Sequence, residues 1–208
     1  GQRIDGLKSL TLNNMVQDPS AIHEALAYDA FRATGVGGPR AGYATVTVNG
    51  ADYGLHANIE TVDSRFLAAH FPATQHLYEA PDHLSGNDTI LSRDIVPDAV
   101  EDFRVEEGDE EDLSDLTTLA AISQLESDDD WWTAFQQHLH ADQVLRQWAT
   151  DNYIGGRDGY INLVNNYFLH SDADGRFRML PWGTDQTFWD GMPLGDAPRR
   201  GIWFNRCV

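Results

Sequence analysis

The chain reads as an α+β protein in two parts: a strand-bearing N-terminal part with one helix, then a more helical part ending in a β-hairpin. Three observations lead there. Asn49-Gly50 between β-branched runs and Asp172-Ala173-Asp174-Gly175 between apolar runs are hairpin turn signals. Between them lies a long stretch with apolar residues at helical spacing. With 208 residues, 41% hydrophobic and 11% aromatic, the chain can bury a sizeable core, so one domain is expected, divided near residue 80 into parts 1–80 and 81–208.

Taken in order, Leu10-Thr11-Leu12 alternates as a short strand. Asp18-Pro19 supplies an N-cap and a proline at the first helical position, which predicts a helix over 19–34 with Ile22, Leu26, Ala30 and Ala33 on its inner face and Gly35 as its stop. Gly37-Gly38-Pro39 interrupts the chain. Strands are predicted over Tyr43–Val48 and Tyr53–Ile59. A short helix begins at Asp63 and ends before Pro72, and Leu77–Glu79 is a short strand. The acidic run 106–112 reads as a solvated loop. Two helices follow, over 113–125 and 130–153, the second carrying Trp131, Phe135, Leu139, Val144, Leu145 and Trp148 and stopped by Gly155-Gly156. Strands at 166–170 and 177–180 make the second hairpin, and turns and polar loops fill the rest.

Charge narrows the partners. Fourteen basic against thirty-three acidic residues give −19, which opposes nucleic acid and anionic membrane and favours basic partners or divalent cations. Thirteen of the basic residues are arginine, and Lys8 is the only lysine. No run of roughly 18 apolar residues suggests a membrane span. One cysteine, Cys207, excludes a disulfide framework within the chain. The start at Gly1 reads as that of an excised fragment.

The most informative stretch runs from 157 to 185. Arg157-Asp158-Gly159 falls on a loop at a helix end, Asn165-Asn166 precedes a strand, and Pro181-Trp182-Gly183-Thr184-Asp185 follows the hairpin. Phosphoryl transfer needs one carboxylate to orient an attacking hydroxyl, and an amide oxygen with a second carboxylate to hold Mg²⁺ against the phosphates. Protein kinases place these as an Asp, an Asn about five positions on, and a later Asp. Here the asparagines lie seven and eight positions after Asp158, so the order matches and the spacing is loose. Each element also has an ordinary use: Asp-Gly as a turn, an asparagine pair satisfying backbone groups, Asp185 as a loop acid.

Leu10-Thr-Leu-Asn-Asn-Met15, Asp18-Pro-Ser-Ala-Ile-His-Glu-Ala-Leu-Ala-Tyr-Asp29, Val48-Asn-Gly-Ala-Asp-Tyr-Gly-Leu55 with Glu60-Thr-Val-Asp63, Leu77-Tyr78-Glu79 and Pro181–Asp185 together resemble the spore coat protein H (CotH) kinase-like family, over roughly Asp5 to Phe188. The resemblance implies an atypical protein-kinase fold with two lobes that uses ATP and Mg²⁺ or Mn²⁺ to phosphorylate proteins on serine. Asp158 would be the catalytic aspartate and Asn166, with Asn165 as the other choice, the metal-binding asparagine. Asp185 would hold the metal. Many members read Pro-Trp-Asp-x-Asp, and Gly183 stands here at the first acid.

By analogy of fold position, Glu24 takes the place of the helix glutamate that pairs with a phosphate-anchoring lysine, and Glu60 marks an adenine-facing hinge. Lys8 is poorly placed to be that lysine, and the family's strand residue would lie upstream of Gly1. The substrate implied is a basic, serine-bearing protein segment. A catalytically inactive binding module is the alternative, since some relatives serve as cell-surface adhesins.

Other chemistries find no support. His138 and His140 are offset by two residues, which points them apart on a helix. Gly35-Val-Gly-Gly38 follows a helix instead of opening one, unlike a phosphate cradle. Trp131-Trp132 reads as core. Asn87-Asp88-Thr89 is a glycosylation sequon, meaningful only in a eukaryotic secretory setting.

Overall fold

The computed structural model describes residue 3 and residues 7–81, 94–188 and 201–207; the sequon at 87–89 lies outside them. It is a mixed α+β structure with two antiparallel sheets. The first is three-stranded, β1 (Thr11–Asn13), β3 (Ala51–Ile59) and β2 (Ala41–Val48), with β3 central. Asn49 and Gly50 join β2 to β3, both with positive φ (51° and 84°), the twist a two-residue hairpin needs. The second sheet has the order β5 (Arg104–Glu107), β4 (His76–Glu79), β6 (Tyr167–Ser171), β7 (Phe177–Pro181). β4 lies before the division expected near residue 80, yet pairs with β6 beyond it, from His76↔Ser171 to Glu79↔Phe168. Two residues of the acidic run, Glu106 and Glu107, are the end of β5 instead of loop, because they complete a sheet edge opposite β4.

Helix α1 (His23–Ala33) starts later than predicted. The Asp18 carboxylate first closes a turn, accepting from Ser20 N at 2.9 Å, and then receives the His23 amide at 2.7 Å, so it caps the helix from outside it. The buried face is also different. Glu24, Ala27, Tyr28 and Phe31 point inward while Ile22 and Leu26 stay about half exposed (48% and 47%). The larger aromatic area decides the rotation: Tyr28 packs with Met15, Ala57 and Ile59 against the first sheet, and Phe31 packs with Ile154 past the end of α5 (Ala141–Tyr153).

The helix predicted over 130–153 is two helices, α4 (Asp128–His138) and α5. Leu139 between them is extended and forms a parallel bridge with Phe177, and His140 N donates to Phe177 O at 2.8 Å. Leaving the helix there buries Leu139 and ties both helices to β7, which outweighs the local periodicity. Helix α3 (Ser114–Ile122), α4 and α5 pack with β4, β6 and β7 in one core holding Trp131, Phe135, Trp148, Tyr160, Tyr167 and Trp203. Trp132 is partly exposed at its edge (38%), so the tryptophan pair is only half core. Trp203 belongs to a short helix, α7 (Ile202–Asn205), where only loops were expected; Asp94, fully buried, accepts from Ile202 N at 2.8 Å and from the Tyr160 hydroxyl at 2.9 Å and pins it. The shorter elements, α2 (Ser64–His70) and α6 (Tyr160–Leu163), cover the second sheet and follow the Asp158 turn respectively.

Candidate active site

Helix α5 ends at Tyr153; Gly155, with a left-handed backbone (φ 64°), then reverses the chain, and Gly156 N closes on Asp151 O at 2.9 Å. Residues 157–159 then form a turn before α6. This turn is stitched to the segment after β7: Arg157 N donates to Gln186 O and Phe188 N to Ile154 O, each at 2.9 Å. The strand start at 165–166 comes in beside them after Val164 takes a left-handed conformation (φ 53°).

These three backbone segments converge on one carboxylate. Asn165 Nδ2 donates to Asp158 Oδ1 at 3.1 Å, and Asn166 Nδ2 donates to Oδ2 at 2.8 Å, with Gln186 Nε2 at 3.4 Å from the same oxygen. Among the described residues the donors to Asp158 are all neutral amides. They orient the carboxylate. The two asparagines, alternatives in sequence, thus both serve Asp158. Asn166 Nδ2 also reaches Gly183 O at 3.2 Å. Its nitrogen is thereby committed, and its Oδ1 is the amide atom left for a cation.

Gly183 itself has φ +53°, and a Cβ there would lie 2.8 Å from both Cγ and Nδ2 of Asn166. An acid at this position would require the Asn166 amide to move. Asp185, two residues on, is the carboxylate available on this segment. Burial raises its pKa, and the nearby charge of Asp158 adds to that, while the Asn13 amide opposes it.

Glu24 is buried on α1, near enough to Asp185 to feel its charge. Asn13 Nδ2 donates to its Oε2 at 2.8 Å; burial, with Asp185 and Asp18 as further acids, pushes its carboxyl up to about 7. The lysine that kinase analogy would set beside it is elsewhere: Lys8 Nζ lies 3.3 Å from Ser64 Oγ. Asp158, Asp185 and Glu24 are therefore electrostatically linked acids around the asparagines. Such a set favours a cation.

Asp158, Asn166, Asp185 and Gln186 line an open cleft of about 670 Å³ whose far edge is Glu79 and Ala80 at the end of β4. That volume falls within the range of small-molecule sites. Glu60 is placed differently. It is held by Arg40, with Nη2 at 2.7 Å and Nε at 3.1 Å, and faces a separate depression bounded by Leu10, Arg40 and Arg65. The structure brings Asp158, Asn166 and Asp185 together, places Glu24 within electrostatic reach of Asp185, and does not bring Glu60 to their cleft.

Sequence reasoning missed Asn13, Gln186 and Glu79. The first two are amides beside residues already marked, Asn13 within the Leu10–Met15 motif and Gln186 next to Asp185, and only the convergence of distant segments reveals their use.

Among the described residues no three His, Cys, Asp or Glu side chains converge as a metal site. A hard cation would have Asp185 and Asn166 Oδ1 as protein oxygens and complete its shell with water and phosphate, which is the manner of Mg²⁺. No helix of the described residues is long and apolar enough to cross a membrane.

Residues 1–205 match the family model described as CotH kinase protein. The chain is also 27% identical over 187 residues to inner spore coat protein H of Bacillus subtilis (strain 168), an alignment covering 88% of this chain and 51% of that protein. The chain spans about half the length of this curated relative. With the family model matched along nearly its whole length and the Asp158, Asn166 and Asp185 segments converging on one cleft, the chain belongs to the CotH kinase family.

Proposed function

We propose that this domain transfers the γ-phosphoryl group of ATP to a serine hydroxyl of a basic protein segment, with Mg²⁺ or Mn²⁺ bound at Asp185 and Asn166. The observation that carries the reading is the Asp158 carboxylate held by the amides of Asn165, Asn166 and Gln186 at the floor of a nucleotide-sized cleft. In this reading the domain is a single kinase-like unit. The first sheet and α1 serve as the nucleotide-covering lobe, and the second sheet with its helices serves as the catalytic lobe.

Asp158 accepts the hydrogen of the attacking hydroxyl, and its amide donors fix the carboxylate so that one lone pair faces the cleft. The metal supplies charge compensation for the phosphates, which the acidic walls would otherwise repel. Asp185 and Asn166 Oδ1 would hold it, and Glu24, tethered by Asn13, adds its charge near Asp185. Glu79 and Ala80 take the nucleotide edge of the cleft, the role that fold analogy assigned to Glu60. The net charge of −19 favours a basic substrate segment.

Gly183 in place of an acid, together with Asn13 instead of a lysine on Glu24, supports a second reading: a CotH-derived module that binds a partner without catalysis. Incorporation of label from γ-labelled ATP with Mg²⁺ or Mn²⁺, beside Asp158→Ala and Asp185→Ala, decides between them. Label above both variants is expected; wild type no higher than the variants leaves the binding module.

A further inference from the structure

The connection from β1 to α1 meets the site from the side of the first sheet. Asn13 Oδ1 accepts from Met15 N at 2.9 Å, which fixes the amide and leaves Nδ2 to donate to Glu24 Oε2 at 2.8 Å. Met15 is buried in a left-handed conformation (φ 54°) and packs with Tyr28, and Asp18 N closes the turn on Met15 O at 3.0 Å. The Asp18 carboxylate then accepts from Ser20 N and His23 N. Residues 13–18 are thus tied to α1 at both ends and form one piece with it.

Gln17 projects from this piece and lines the same cleft as Asp158 and Gln186. Its Oε1 accepts from Gln186 Nε2 at 3.1 Å, although the two residues are 169 positions apart. That nitrogen also lies 3.4 Å from Asp158 Oδ2. The direction of both amides follows from the acid. An ionised carboxylate only accepts, so Gln186 turns its NH₂ toward Asp158, and any second partner of that NH₂ must present an oxygen. The two hydrogens of the NH₂ are fixed relative to each other, so an acceptor for one steers the other. Gln186 is only partly buried, and without Gln17 its nitrogen could turn to water.

We propose that Gln17 is a positioning residue for the Asp158 carboxylate, acting through Gln186, so that α1 and residues 13–18 complete the site from the first sheet's side. The role rests on the phosphoryl-transfer reading, in which the orientation of Asp158 sets the rate.

Gln17→Leu removes the acceptor at an exposed position, where the core is untouched, and Gln17→Glu keeps an oxygen for Gln186. With γ-labelled ATP, kcat is expected to fall about tenfold in Gln17→Leu with KM for ATP within about two-fold, and to return to within about three-fold of wild type in Gln17→Glu. A Gln17→Leu, Gln186→Leu double variant should be no slower than Gln186→Leu alone. The side-chain amide signal of Gln186 in ¹⁵N-resolved spectra, recorded without nucleotide or metal, reads the contact apart from activity. It should shift and exchange faster in Gln17→Leu. A Gln17→Leu enzyme as fast as wild type, a Gln17→Glu enzyme as slow as Gln17→Leu, additive losses in the double variant, or a Gln186 signal indifferent to Gln17 overturns the relay. A wild type that transfers no phosphate while that signal answers to Gln17 removes the phosphoryl-transfer reading and leaves the relay in place.

Discussion

Asn166 Nδ2 lies 2.8 Å from Asp158 Oδ2 and shares the same nitrogen with Gly183 O at 3.2 Å. One amide therefore sets the direction of the candidate base and joins the start of β6 to the segment after β7. Replacing it with Asp puts a second carboxylate against Asp158 and removes the donor. Asn166→Asp is expected to lower phosphoryl incorporation by roughly 10²-fold or more, with circular dichroism unchanged. Incorporation within a few-fold of wild type would remove Asn166 from the site.

Gly183→Asp recreates the acid common in the family, yet it should not improve the protein. The position has φ +53°, and the new Cβ falls 2.8 Å from the Asn166 amide. Left-handed strain and displacement of Asn166 together cost about 1–3 kcal/mol. Urea denaturation reads the loss of stability, and labelled ATP reads whether incorporation falls with it.

Stability should decline as pH rises through the neutral range. The carboxyls of Glu24 and Asp151 are both pushed up to about 7, from ordinary values of 4.5 and 3.8. Between those limits the folded protein holds more protons than the unfolded chain, so each unit of rising pH lowers the unfolding free energy until both groups have ionised. The loss is on the order of a few kcal/mol between about pH 4 and 8. Urea midpoints at pH 5.5 and 8 are expected to differ in that direction for wild type and to converge in a Glu24→Gln, Asp151→Asn double variant, whose amides keep the shapes without the charges.

Under the proposed function, Mg²⁺ would compete with protons on Asp185 and on Glu24 beside it. The rise in melting temperature on adding Mg²⁺ with a non-hydrolysable ATP analogue should be larger at pH 8 than at pH 6, because Asp185 and Glu24 lie close enough to share their charge. Asp185→Asn should abolish most of the rise at both values. A rise indifferent to pH and to Asp185 would place the cation elsewhere.

Phe31 is fully buried between α1 and the end of α5, and packs with Ile154 beside the glycines that start the Asp158 turn. Phe31→Ala should cost about 3–5 kcal/mol. Hydrogen exchange would show where the loss falls: amides of residues 154–159 are expected to lose protection along with α1. Loosening confined to α1 would mean that the turn holds its shape without that contact.

The local features legible in sequence were those whose cause is local. Asn49-Gly50 dictated its hairpin because two adjacent residues tolerate positive φ, and Asp172 to Gly175 closed the second turn through Gly175 N on Asp172 O at 2.9 Å. The order Asp158, Asn165-Asn166, Asp185 also stood in the sequence with its chemistry attached, and the structure assembles it around one cleft. Periodicity failed where a distant partner outbid it: Leu139 left its helix to meet Phe177, and α1 turned Tyr28 and Phe31 inward instead of Ile22 and Leu26.

The sequence by itself determined the family, the α+β class, the hairpins and the order in which Asp158, Asn165, Asn166 and Asp185 follow one another. Tertiary structure decided which amide serves which acid, because Asn13 reaches Glu24, and Asn166 and Gln186 reach Asp158, from segments far apart along the chain. It also decided that Glu60 belongs to Arg40 and a separate depression while Glu79 borders the cleft, since β4 pairs with β6 across the expected division. Local conformation follows from the dihedral preferences of neighbouring residues. A site made by convergence depends on packing that no window of sequence contains.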